Sequence, residues 1–141
     1  MIILFFLFIL QTFSFDVNGM LQLDFITNDG AFVDRDRTWK ELQLTKEMGF
    51  DGVMCDIWWG IVEKSPRQYK WDVYLDLVGM VHKLGLRFQP VMSFHQCGGN
   101  VGDTCDIKIP EWVRKQAKEK KAGFYLYNGA ANFEYLLLIR M

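Results

Sequence analysis

Gly49-Phe50-Asp51-Gly52-Val53-Met54-Cys55-Asp56-Ile57 is the stretch whose reading decides the fold. Its short apolar run follows a glycine and reaches a carboxylate, which predicts a buried strand over residues 50–57, entered from a helix stop. Upstream, residues 38–48 predict a helix with a capping box, Thr38 at the cap and Glu41 three residues on. Each side chain of such a box can satisfy a free backbone N–H. Trp39 and Leu42 share one face, Leu44 and Met48 lie near it, and Gly49 supplies the left-handed stop. Downstream the plan recurs. Residues 72–84 carry Tyr74, Leu77, Val78 and Val81 at helical spacing, Gly85 stops the helix, and residues 86–94 form the next strand. The 36 residues from Gly49 to Gly85 are the length of one βα unit.

An earlier strand over residues 20–26 and a helix whose first residue is Pro110 complete the order β-α-β-α-β-α. That order means α/β architecture, with parallel strands and helical crossovers. It fits an open doubly wound sheet or a (β/α)8 barrel. Neither of the glycine-rich phosphate-binding patterns occurs, which takes weight from nucleotide-binding versions. In both architectures ligands bind beyond the C-terminal ends of the strands. Asp56 and His95 each stand where a strand ends.

Composition narrows the class. With 141 residues, 50% hydrophobic and 16% aromatic, the chain can build a substantial core. A net charge of -1 offers no basic face for nucleic acid. The cluster Lys115, Lys118, Lys120 and Lys121 contains Glu119 and reads as a solvated helix face. Three cysteines (Cys55, Cys97, Cys105) are an odd number without a C-x-x-C pair, so neither a disulfide nor a zinc site is expected. Two histidines, His82 and His95, cannot build an imidazole-rich metal site. The apolar run over residues 1–10 is shorter than the roughly 20 residues of a membrane span, so no stable span is expected. It has the length of a signal-peptide core, yet no Lys or Arg precedes it and no A-x-A-like site follows. A leader and sequence foreign to the fold both remain open, and no compartment is assigned.

Two motifs carry chemistry. Asp56 is followed by Ile57, Trp58, Trp59 and Gly60, a carboxylate beside indole rings. Carboxylates accept sugar hydroxyl hydrogens and indole faces cover sugar C–H surfaces; the alternative is that the tryptophans are core and Asp56 caps the next turn. The second motif runs from Ser93 through Phe94, His95, Gln96 and Cys97 into Gly98, Gly99, Asn100, Val101, Gly102 and Asp103. Glycine loses the most entropy on ordering, so three glycines within five residues suit a loop that moves. A lid bringing a carboxylate onto substrate is one use for it. An ordinary βα loop needing several positive φ angles is the other.

These motifs resemble plant-type β-amylases. Residues 51–63 are similar to that family's segment at the second barrel strand, and residues 95–103 resemble its H-Q-C-G-G-N-V-G-D signature without a mismatch. Residues 109–113 are similar to its I-P-x-W-V, and the likeness continues through residues 125–128 and 134–136. The resemblance implies a (β/α)8 TIM barrel that removes maltose from non-reducing ends of starch-type α-1,4-glucans, with inversion and without a cofactor or metal. By position, Asp56 and His95 would bind the terminal glucose units through hydrogen bonds. Asp103 would sit on a lid formed by Gly98, Gly99, Asn100, Val101 and Gly102. Cys97 matches a cysteine near the family's active site that is not a nucleophile.

Inverting hydrolysis needs two carboxyl groups about 6.5–9.5 Å apart. The resemblance places both catalytic glutamates on later strands, and Glu63, Glu111 and Glu134 match neither. The expectation is three βα units from the N-terminal part of such a barrel, incomplete and without hydrolytic activity of their own. Its divisions would be an apolar segment (1–17), a partial barrel (18–136) and a non-family tail (137–141). Gln22 stands where the family usually has proline. A noncatalytic glucan-binding or regulatory piece, or a gene-model fragment with no function, are the alternatives. Three units would leave the inner sheet face and a strand edge uncovered.

Overall fold

In a computed structural model, residues 15–98, 101–102, 104–120, 124–127 and 130–136 are described. The apolar run over residues 1–10 lies outside them. The first sheet is parallel with order β1-β2-β3, comprising β1 (Asn18–Met20), β2 (Gly52–Trp58) and β3 (Arg87–Ser93). Between β1 and β2 runs α1 (Arg35–Glu47); between β2 and β3 run the single turn α2 (Trp59–Val62) and α3 (Asp72–Lys83). After β3 come α4 (Glu111–Lys120) and an antiparallel hairpin of β4 (Phe124–Tyr127) and β5 (Ala130–Leu136). The β-α-β-α-β-α order is thus observed through α4. The hairpin is an addition that the sequence reading did not foresee.

Register explains which residues share a face. Asn18 to Met20 pair with Gly52 to Met54, and Gly52 to Trp58 pair with Arg87 to Ser93. Strand side chains alternate between faces. Val53, Cys55 and Ile57 therefore share one face, and they join Leu42, Leu77 and Val81 in the buried cluster. Met54, Asp56 and Trp58 occupy the other, together with Val91 and Ser93 of β3. Nearly every residue of β2 is buried, as expected of a central parallel strand.

The two long helices differ in what they bury. α3 buries Val73, Tyr74, Leu77, Met80 and Val81, each worth about 1.5–3 kcal/mol relative to exposure. In α1 only Thr38 and Leu42 are buried. Leu44 and Met48, expected near the core, are exposed. Leu44 stands two residues from Leu42, on the opposite side of the helix, and Met48 is the C-cap residue beyond it. The helix also starts earlier than expected: Asp34 is the N-cap, its carboxylate accepting from Arg37 N at 2.9 Å. Thr38, the predicted cap, lies inside the helix with its hydroxyl donating to the Asp34 carbonyl at 2.9 Å. Arg35, in the added turn, makes a bidentate pair with Asp76 of α3.

Both helix stops are as predicted. Gly49 and Gly85 have φ of 84° and 64°, the left-handed region that ends helices. The first strand is Asn18–Met20 and not residues 20–26: it lies earlier than expected, since after Met20 the chain leaves the sheet in turns, with Leu21 N still bonded to the Met54 carbonyl at 2.9 Å. Pro110 precedes α4 rather than opening it, its carbonyl accepting from Val113 and Arg114. No helix among the described residues is long and apolar enough to cross a membrane.

Candidate functional site

Asp56 and Ser93 lie on one sheet face at the C-terminal ends of adjacent strands. Asp56 faces the same side as its register partner Val91, and Ser93 is two residues further along β3. The Ser93 hydroxyl accordingly donates to Asp56 Oδ1. Both are buried, Asp56 at 9% exposure and Ser93 at 1%. A buried carboxylate needs donors to replace water, and Ser93 supplies one. Sequence reading missed Ser93, though strand alternation counted back from His95 would have pointed to it.

His95 follows one residue beyond Phe94 and is half-buried. Its ring meets the Trp58 indole edge-on, with centroids 5.4 Å apart. Trp58 is fixed from behind: its backbone N–H donates to the Tyr74 hydroxyl at 3.0 Å. Burial, ahead of all other influences, pushes the Tyr74 phenol above its ordinary pKa. The Trp58 Nε1 is buried and has no partner among the described residues. Asp56, Trp58 and His95 are therefore brought together. Gly98, Val101 and Gly102 of the expected lid are described, whereas Gly99, Asn100 and Asp103 lie outside the described residues.

Beyond His95 the chain doubles back. Cys97 and Ile107 exchange two backbone hydrogen bonds of 2.8 and 3.0 Å. The reversal brings Cys97 and Cys105 together, with Cα atoms 5.6 Å apart, and they form a disulfide. This corrects the expectation of no disulfide. An odd cysteine count does not forbid one pair, and the third, Cys55, is enclosed within β2. Burial first, and the Asp56 charge second, push the Cys55 thiol up to about 12, so it stays protonated and unreactive. Gly98 has φ of 99°, and a Cβ there would run into the Cys105 carbonyl.

The β2 exit is braced by Glu63. Its carboxylate accepts from Trp59 Nε1 and from Arg67 N, both at 2.7 Å. These bonds, the indole one first, hold its carboxyl below the usual glutamate range. Trp112 Nε1 of α4 donates to the Glu63 carbonyl at 3.1 Å. Trp59 is edge-on to both Phe94 (5.4 Å) and Trp112 (5.8 Å). Glu111 is exposed and paired with Arg114. Among the described residues no cluster of three His, Cys, Asp or Glu could hold a metal ion. A separate cleft of about 270 Å³ lies between the loop after β1 and the returning segment, lined by Asp24, Thr27, Asn28 and Thr104 among others.

Parallel βα units with polar and indole groups gathered at their strand ends define an α/β protein with a candidate ligand site at that rim. The model of glycosyl hydrolase family 14 matches residues 18–140, and the chain belongs to that family. The match passes Leu136, where the sequence reading ended the resemblance. Beta-amylase Tri a 17 of Triticum aestivum is 46% identical over 121 residues, covering 84% of this chain and 24% of that protein. A beta-amylase of Zea mays is 48% identical over 121 residues, covering 84% and 25%. The solved catalytic domain of beta-amylase from Paenibacillus polymyxa superposes with a TM-score of 0.72 at 34% identity, covering 86% of this chain and 28% of that one. The fold is thus α/β, matching part of a β-amylase TIM-barrel-type domain with three parallel strands. The chain spans about a quarter of the length of the curated relatives it matches.

Proposed function

We propose that this chain carries part of the sugar-binding rim of a β-amylase acting on starch-type α-1,4-glucans, releasing maltose from non-reducing ends with inversion. Asp56 and His95 bind the terminal glucose units, and Asp103 belongs to the loop that covers them. The carrying observation is the convergence of Asp56, Ser93, Trp58 and His95 at adjoining strand ends. With Ser93 on Oδ1, the second Asp56 oxygen can accept a sugar hydroxyl. The unpartnered Trp58 Nε1 is a donor looking for an acceptor.

The chain by itself binds glucan without cleaving it. Both Glu63 carboxylate oxygens are taken by donors, which suits a fixed anion and not a proton donor. Titration with maltose, followed by NMR, tests the reading. Millimolar binding that Asp56→Asn weakens about tenfold is expected, as for one charged hydrogen bond, with no maltose released from soluble starch. Absence of binding at millimolar sugar would end the glucan reading, and maltose release by the purified chain would end the claim of inactivity.

A further inference from the structure

Glu63 is the polar centre joining the exits of β2 and β3. Its carboxylate aims the Trp59 indole and holds Arg67, whose φ of 62° is unusual for a residue with a side chain. An indole offers a single N–H, so its acceptor sets the ring's orientation. Trp59 so oriented lies against Phe94, and Phe94 immediately precedes His95. Trp58, one residue before Trp59, lies against the His95 ring. Two consecutive indoles thus contact two consecutive residues of the neighbouring strand exit.

We propose that Glu63 is a positioning residue for the glucan site: by fixing Trp59 it fixes the Phe94–His95 turn and keeps the His95 ring against Trp58. The inference rests on the reading of Asp56 and His95 as sugar-binding residues. Glu63 itself touches no sugar in this scheme. Its backbone carbonyl extends the brace to α4 through Trp112, so the start of the next helix is set from the same residue. A carboxylate suits the task because it can accept from two donors at once, and charge-assisted bonds are about twice as strong as neutral ones.

Histidine NMR on the full chain tests this directly, because its only histidines are His95 and His82. His82, in the last turn of α3, is the internal reference. In sugar-free chain, Glu63→Ala is expected to move the His95 ring signals while those of His82 stay in place. Maltose affinity should fall about tenfold, the loss of one charged hydrogen bond's worth of order. Glu63→Gln keeps an acceptor for the Trp59 indole and should restore both readouts. Unmoved His95 signals in Glu63→Ala overturn the proposal. Should Glu63→Ala disturb both histidines, Trp59→Phe decides, since it deletes the indole N–H and leaves the carboxylate. His95 moving alone in that variant supports positioning; both moving, or neither, overturns it. Failure of the unsubstituted chain to bind maltose would defeat the glucan reading alone, because the sugar-free His95 signals still judge the brace.

Discussion

The exits of β2 and β3 lie side by side, yet they are held in different ways. After β2, side chains do the holding: one carboxylate gathers an indole N–H and a backbone N–H, and the Trp59 ring so held packs edge-on against Phe94 and Trp112. After β3, backbone and covalent bonds do it: a two-bond bridge, a disulfide and a left-handed glycine under the Cys105 carbonyl. The two meet where the backbone of Gly60 lies against the Lys108 carbonyl. The difference teaches that a rim can be ordered through side-chain geometry or through loop closure. The first kind responds to pH, the second to reductant.

The largest expected effect breaks the β3 side. Gly98→Ala combines a left-handed φ with a steric clash on backbone, at a cost of about 3 kcal/mol or more. Gly60→Ala also drives a Cβ into backbone, but without a positive φ. The Gly60 clash is the tighter of the two, so a lower denaturant midpoint for Gly98→Ala than for Gly60→Ala would show that the positive φ adds its own cost, and an unchanged midpoint in Gly98→Ala would break the expectation.

Next comes the disulfide. Cys105→Ser removes a closure of sequence separation 8, and the chain-entropy relation gives a loss of about 2–3 kcal/mol. A dithiol reductant should lower the melting temperature of the unsubstituted chain and leave Cys105→Ser unchanged. An equal response in both would show that the bridge contributes no stability.

The smallest effect sharpens the β2 side. Glu63→Gln removes the charge and one acceptor oxygen from a carboxylate that accepts from Trp59, Arg67 and Tyr69, at about 1–2 kcal/mol near neutral pH. Its pH dependence has a definite sign. Glu63 and Asp76 are both held below their ordinary values, Glu63 chiefly by the Trp59 bond and Asp76 chiefly by Arg35. Such groups contribute full stability above the unfolded carboxylate values, near about 4. The contribution is lost as pH falls through the lower folded values. Acid titration of stability should therefore be shallower in Glu63→Gln than in the unsubstituted chain; identical curves would remove Glu63 from the acid response.

Residue pattern made the repeated βα plan legible, because helix faces, glycine stops and apolar strand runs are local signals. Gly49, Gly85, β2 and β3 stand where those signals put them, and the family motifs are local strings too. The sequence reading failed where one local signal competed with another or where a distant partner intervened. Thr38 looked like a cap, but Asp34 caps α1 a turn earlier, a competing local signal that the Thr38–Glu41 pattern masked. The Glu63 brace was not legible because the turn after β2 decides that its carboxylate meets Trp59 and Arg67, and because Trp112, 49 residues away, reaches its backbone carbonyl.

By itself, then, the sequence determined the alternation of strands and helices, the family, and the placing of Asp56 and His95 at strand ends. Only the tertiary structure decided the Asp56–Ser93 bond, the Trp58–His95 contact, the Cys97–Cys105 bridge and the Glu63 brace. The physical reason is the range of the interactions. Periodicity and capping act within a few residues and leave their mark in the local string. Register, loop reversal and edge-on ring packing join residues that become neighbours only when the sheet has formed.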